Sequence, residues 1–353
     1  MDSLLVNKAA LDDTTLTEAA PSPTPVEGEV LLRVDRFGLS ANNISYADVG
    51  EALGYWAYFS PPGDLGSVPV WGFADVVESA VPGLEVGERL FGYLPMASEF
   101  VIRPANVEPL ILADASEQRA PLHPWYNRYY RCSADPLYDE QYLDLQPILW
   151  ALFMTGLMMA EELANAVDAV VISSASSKTA LSLAWSLQAL NPDLHVVGLT
   201  SAGNSDFVAA RGVYDTVTGY EDLALPELPP MAFVDIAGNA SITAAVHEKL
   251  GERLKDSVTI GATHRAPTSA AAPLPGPTPR FFFIPDVAEA KAAEVGFENY
   301  HRTFAEHWAS FAPWAAAWCE FERHAGAAAV EAAYQRLLAG QANPARALIL
   351  SWT

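Results

Sequence analysis

Residues 171–180 read VISSASSKTA. Five hydroxyl side chains, Ser173, Ser174, Ser176, Ser177 and Thr179, surround one alanine, Ala175, and are joined by a cation, Lys178. Small side chains let backbone amides approach an oxyanion closely. A helix that begins at such a turn adds the positive end of its dipole. The chemistry these residues suit is the seating of a diphosphate. A phosphate loop of the phosphoryl-transfer kind needs glycines six residues and one residue before its lysine, where Ile172 and Ser177 stand. An ordinary helix start capped by Ser or Thr uses the same residue types.

A second stretch, GLTSAGN over 198–204, follows the next apolar run. In a dinucleotide-binding unit, a carboxylate here accepts from the ribose 2′-hydroxyl and selects NAD. None stands before Asp206. Thr200, Ser201 and Asn204 can instead hydrogen-bond a 2′-phosphate, which favours NADPH over NADH. Loop polarity alone accounts for the same residues.

Positioning these groups requires strands and helices in alternation, and the chain supplies that pattern from about Leu143 onward. DAVVISS is a short apolar run, a helix follows from Ser176 to Leu190, and HVVGLTS begins about 26 residues after the first strand, close to one strand–helix–strand repeat. AARGVYDTV, MAFVDIAG and DSVTIGA continue the series, with ASITAAVHEKLGERL as an intervening helix. The expectation is five parallel strands over 168–262 in a doubly wound sheet.

The first hundred residues have a different rhythm. EVLLRVDRFGLS, PVWGFADVVES and ERLFGYLPMASEFVIRP are β-branched and aromatic runs bounded by turn residues, which suits a small antiparallel barrel. The aromatic, Pro-interrupted segment between Pro121 and Pro147 reads as an ordered excursion between domains. Ala266–Pro279 is Pro/Ala-rich and reads as a linker. The tail is expected to form helices around Pro285–Gly296, Tyr300–His324 and Gly326–Leu338, then a terminal strand, ARALILSWT, that needs a sheet to join. The domain reading is therefore 1–142 for the barrel, 143–265 for the nucleotide-type sheet, and 266–353 for the linker, helices and strand returning to the barrel.

A length of 353 residues suits two domains. With 51% hydrophobic and 18% charged residues the chain is expected to be ordered and globular. The formal charge of −23 opposes nucleic acid and anionic membranes as partners and leaves an anionic cofactor dependent on local donors. Cys132 and Cys319 lack CxxC spacing and the seven histidines show no ligand pairing, so no metal site is expected. Reduced thiols and an N-terminus without a secretory pattern suggest a cytoplasmic protein. The apolar stretch Ile148–Ala160 is 13 residues long, short of the roughly 20 needed to span a bilayer, and reads as a buried helix.

Three segments carry a resemblance. GLSANNISYADVG resembles the barrel segment of the medium-chain dehydrogenase/reductases that approaches nicotinamide and substrate. PVWGFADVVESAVPGLEVGERLFGYLPMASEFVI is similar to that family's Pro-Gly-hydrophobic-x-Val-Gly-Asp-Arg-Val stretch, with Glu88 for the usual Asp. VVGLTSAGNSDFVAARGVYDTVTGYEDL resembles the zinc-free quinone and enoyl reductase branches. ANNISYA, GYW and SSASSKTA look closest to a branch described as a domain of unknown function.

The resemblance implies a GroES-like barrel completed by the C-terminal strand, a Rossmann domain between, and hydride transfer in the cleft. The zinc ligands of the alcohol dehydrogenases are missing at the matching positions, where Ser40–Asn43 and Trp71–Ala74 stand. Without a metal, charge on a substrate oxygen must be met by hydrogen-bond donors and a proton must come from a side chain or water. Asn42 is then expected to contact cofactor or substrate, and Tyr46 or Tyr55 to donate the proton. Asn43, Trp56, Trp71 and Tyr126 are expected at the substrate; core packing is the competing use of the aromatics. Asp235, ending the fourth strand, and Gly261 complete the candidate cofactor set. These residues suggest NADPH-dependent reduction of an enone, quinone or carbonyl compound, with a homodimer as the family's habit. The alternative is an NADP(H)-binding protein without catalysis, acting as a redox sensor or assembly partner, or a small-molecule binding module with an empty Rossmann site.

Overall fold

Strand Val30–Leu39 organises the first unit. It pairs antiparallel along its length with Val70–Ser79, so that Leu32 faces Val76 and Phe37 faces Gly72. On its other edge it takes two partners, Glu99–Ile102 at its start and the C-terminal strand Arg346–Ser351 at its end. Sharing one edge between two strands curls the sheet back on itself. The path continues through Arg89–Leu94, Arg128–Arg131 and Ile111–Asp114. Leu32, Val34, Phe37, Val70, Ala74, Leu90 and Leu350 point inward in one cluster. Each large apolar side chain so buried contributes about 1.5–3 kcal/mol before ordering costs.

The computed structural model describes residues 1–61, 63–228, 230–260 and 273–353. Gly261 and residues 266–272 of the Pro/Ala-rich stretch lie outside the described residues. Two compact units result, one of residues 1–148 with 305–353, the other of residues 149–304.

Three features of the first unit differ from the sequence expectation. The aromatic segment is not an excursion: Arg128–Arg131 is a strand inside the sheet, because Tyr129 and Tyr130 are both buried by neighbouring strands. The helix expected to reach His324 ends at Ala316, and Glu320–Ala325 forms a strand parallel to Arg346–Ser351. That short edge strand draws its local support from ion pairs of Glu322 with Arg336 and Arg346. A hairpin of Ser3–Asn7 and Ala10–Thr17, joined by Leu65–Gly66, forms a separate small sheet that was not anticipated.

The second unit holds a parallel sheet in the spatial order Thr216–Gly219, His195–Thr200, Ala169–Ile172, Met231–Asp235, Leu254–Ile260, Arg280–Phe282. Numbered by sequence this is 3-2-1-4-5-6, the doubly wound order. It has six strands where five were expected, because Arg280–Phe282 pairs with Val258–Ile260. Phe282 is consequently buried in this sheet. Helix Lys178–Leu190 follows the first strand, and helix Gln146–Leu163 crosses it closely at Gly156, where a Cβ would lie 2.5 Å from the Leu183 nitrogen.

Candidate functional site

In the 3-2-1-4-5-6 order the chain reverses direction across the sheet between Ala169–Ile172 and Met231–Asp235, and ligands of such sheets sit at the carboxyl ends of the strands there. The VISSASSKTA corner occupies that place. Ser177 caps the helix, its hydroxyl accepting from the Ala180 amide at 3.2 Å. Lys178 and Thr179 open the first turn, half-buried like Ser174, Ser176 and Ser177.

The corner is more self-sufficient than its composition suggests. Ser174 adopts a left-handed backbone with φ +53° and gives its N–H to the Tyr220 hydroxyl at 2.9 Å. The Ala175 N–H bonds to Leu199 O and the Ser177 N–H to Ser174 O. Ala175 is fully buried and its carbonyl accepts from Tyr214. Ala175 therefore packs the corner. Gly198 makes that packing possible, since a Cβ there would meet the Ala175 Cβ at 2.9 Å.

The polar residues of the second strand end separate. Thr200 is 1% exposed and belongs to the interior, whereas Ser201 is exposed and Asn204 half-buried. The Asn204 amide reaches back to the Ser176 hydroxyl at 3.2 Å, so the two loops form one polar rim. Asp235 is a brace: buried, it accepts from Ser173 Oγ at 2.7 Å, Thr243 Oγ1 at 2.9 Å and the Gly238 amide at 3.1 Å. Ser173 Oγ in turn accepts from the Ile236 and Ala237 amides. The rim presents a capped helix start, a lysine and several hydroxyls, groups whose chemistry fits a dinucleotide diphosphate and a 2′-phosphate.

The first unit gathers its chemistry in an aromatic nest. Helix Ala41–Asp48 supplies Tyr46, the turn Tyr55–Ala57 supplies Tyr55, strand Arg89–Leu94 supplies Tyr93, and the turn Pro124–Asn127 supplies Tyr126. Tyr46 and Tyr55 ring centroids are 4.6 Å apart, and Tyr93 and Tyr126 4.7 Å apart. Trp71 stands 5.0 Å from Tyr93. Burial pushes the Tyr46 phenol above its usual range, against hydrogen bonds from Trp71 and then Asn42 that hold it down. Tyr55 and Tyr126 are also raised, chiefly by burial, and their hydroxyls lie 3.0 Å apart. Tyr93 Oη is fully buried with no hydrogen-bond partner among the described residues. Beside the nest, Arg119 is ion-paired to Asp114 at 3.0 Å and stacks 4.5 Å over Phe59.

Asn42, Tyr46, Tyr55, Trp71 and Tyr126 are thus brought together, while Asn43 and Trp56 serve the fold. Asn43 is 4% exposed with both ends of its amide engaged, Oδ1 by the Ser40 N–H and Nδ2 by the Pro69 carbonyl. Trp56 lies in the core, where a Cβ on Gly50 or Gly66 would strike its indole at 2.2 or 2.5 Å. Tyr58, Tyr93, Arg119 and Tyr220 were not singled out in the sequence. Only Tyr220 carried a signal, as the aromatic directly after the third strand in TVTGY.

Among the described residues, no group of three or more His, Cys, Asp or Glu is placed to hold a metal ion, and no helix is long and apolar enough to cross a membrane. No curated protein matches the chain. Solved structures do. CurA from Vibrio vulnificus, in complex with NADPH, matches at TM-score 0.63 and 15% identity, covering 100% of this chain and 99% of that one. The quinone oxidoreductase from Coxiella burnetii matches at TM-score 0.53 and 15% identity, covering 99% and 98%. The yhdH oxidoreductase from Salmonella enterica, in complex with NADP, matches at TM-score 0.56 and 13% identity, covering 99% of each. At such identities the likeness shows architecture: a β-barrel unit and a Rossmann unit, as in the medium-chain dehydrogenase/reductases. Residues 37–343 match the family described as "Protein of unknown function (DUF2855)", and the chain is a member of that family.

Proposed function

We propose that this protein is an NADPH-dependent, metal-independent oxidoreductase that reduces an enone, quinone or carbonyl compound. The observation that carries the reading is the polar rim at the sheet's switch point, where Asn204 bonds Ser176 beside a helix start capped by Ser177, in a stretch of sequence that holds Lys178 and Ser201 and no carboxylate before Asp206. NADPH and NADP in two structures of the same architecture support it.

When bound, NADPH supplies a hydride. The helix start and the Lys178 ammonium offset the diphosphate charge. Ser201 and Asn204 would donate to the 2′-phosphate, and Ser173 with Asp235 hold the fourth strand end in place. In the barrel unit, Trp71 and Tyr126 would supply aromatic surface against an apolar, aromatic substrate. Asn42 donates to the substrate oxygen as charge develops there, and Tyr46 or Tyr55 delivers the proton.

Two measurements test this together. Titrating NADPH against tryptophan fluorescence is expected to give saturable binding, weakened about tenfold by Lys178→Ala with the fold intact. Steady-state NADPH oxidation over a panel of quinones and enones is expected to show turnover. A protein that ignores NADPH and NADH at millimolar concentration sinks the proposal, whereas binding without any turnover would leave a nucleotide sensor.

A further inference from the structure

Two phenols of the nest are bonded to each other. Tyr55 Oη and Tyr126 Oη lie 3.0 Å apart, and either can be the donor. The rings meet edge to face at 83° with centroids 5.5 Å apart, so neither hydroxyl leaves the other without unpacking its ring. The turn carrying Tyr126 is held by Pro124 at its start and by His123 Nδ1, which accepts from the Trp125 amide at 3.2 Å. Tyr46 is differently placed. Its oxygen faces the indole N–H of Trp71 at 3.5 Å, a donor that does not exchange its proton in this role.

We propose that Tyr126 is a positioning residue acting through Tyr55, the two forming a proton relay; this rests on the reductase reading above. Hydride addition leaves an electron pair on the substrate as an enolate or alkoxide. The Tyr55 O–H bond breaks and its proton goes to that pair. Tyr55 then takes the Tyr126 proton across the 3.0 Å contact, and Tyr126 regains one from water. Each phenol ends as it began, and no electrons move beyond the hydride. A lone phenolate is costly in an apolar nest, and sharing one proton between two oxygens spreads the charge.

Tyr126→Phe keeps the ring and removes the relay. It is expected to lower kcat about tenfold or more, to leave KM and NADPH affinity unchanged, and to raise the solvent deuterium isotope effect on kcat. Unchanged kcat and isotope effect overturn the relay and leave the reductase standing. A KM rise with an unmoved isotope effect marks a packing role and also overturns it. Should the variant not fold, a proton inventory on the unmodified enzyme decides: curvature with deuterium fraction supports two protons in flight, and a straight line rules the relay out. A wild-type protein that binds NADPH but reduces nothing in the panel overturns the reductase reading itself, and the relay with it.

Discussion

Ser174 gives its backbone N–H to the Tyr220 hydroxyl at 2.9 Å while holding a left-handed backbone, φ +53°. A residue other than glycine in that region costs on the order of 1 kcal/mol, and the hydrogen bond from the end of the third strand helps hold it there. Ser174→Gly is therefore expected to leave stability unchanged or to raise it by up to about 1 kcal/mol, while Ser174→Val lowers it by roughly 1–3 kcal/mol. Urea midpoints decide, and a glycine variant clearly less stable than wild type would count against the strain.

Two glycines allow close packing in the second unit, Gly156 between two helices and Gly198 between a strand and the loops beside it, and they differ in what they face. A Cβ on Gly156 would lie 2.5 Å from a backbone nitrogen, Leu183 N, whereas one on Gly198 would meet side chains, the Ala175 Cβ at 2.9 Å and the Tyr214 ring at 3.0 Å. Backbone yields less than a ring. Gly156→Ala is expected to cost about 1–3 kcal/mol or more, and Gly198→Ala less. Equal costs on denaturation would contradict the geometry.

Tyr93 and Tyr129 make a matched pair of tests. Tyr129 Oη donates to the Tyr93 carbonyl at 3.0 Å, whereas Tyr93 Oη is buried without a partner among the described residues. Tyr129→Phe is expected to lower stability by about 1 kcal/mol. Tyr93→Phe removes an unsatisfied group and is expected to be neutral or stabilising. A thermal melt in which Tyr93→Phe is the more damaging change would show that its hydroxyl is satisfied in solution.

Arg336 foremost, against the opposing effect of burial and with Arg346 adding to it, holds the Glu322 carboxyl below its ordinary 4.5, at about 2. A carboxylate depressed on folding stabilises above its unfolded value and loses that contribution as pH falls through the folded one. The window therefore runs from about pH 5 down to about pH 2. Glu322→Gln is expected to be less stable than wild type near neutrality, with the gap closing on acidification. A gap independent of pH, measured by denaturant unfolding at each pH, would remove the carboxylate from the account.

Residue order alone settled the local elements whose pattern is strong. Ala169–Ile172, His195–Thr200 and Met231–Asp235 are short, mostly apolar runs, most of them rich in valine or isoleucine, and at four to six residues between turn signals such a run suits a parallel strand better than a helix. The Ser177 cap and the place of VISSASSKTA between strand and helix were legible for the same reason, since caps and turns depend on neighbours in sequence. Packing decided the rest. Glu320–Ala325 and Arg128–Arg131 become strands only because partners distant in sequence offer them an edge. Whether Thr200 or Ser201 faces outward, whether Asp235 braces a corner, and that Tyr46, Tyr55, Tyr93 and Tyr126 close into one nest depend on which chain segments lie alongside. A hydroxyl's chemistry is written in its residue type, but its partner and its burial come from long-range contacts that no local pattern encodes.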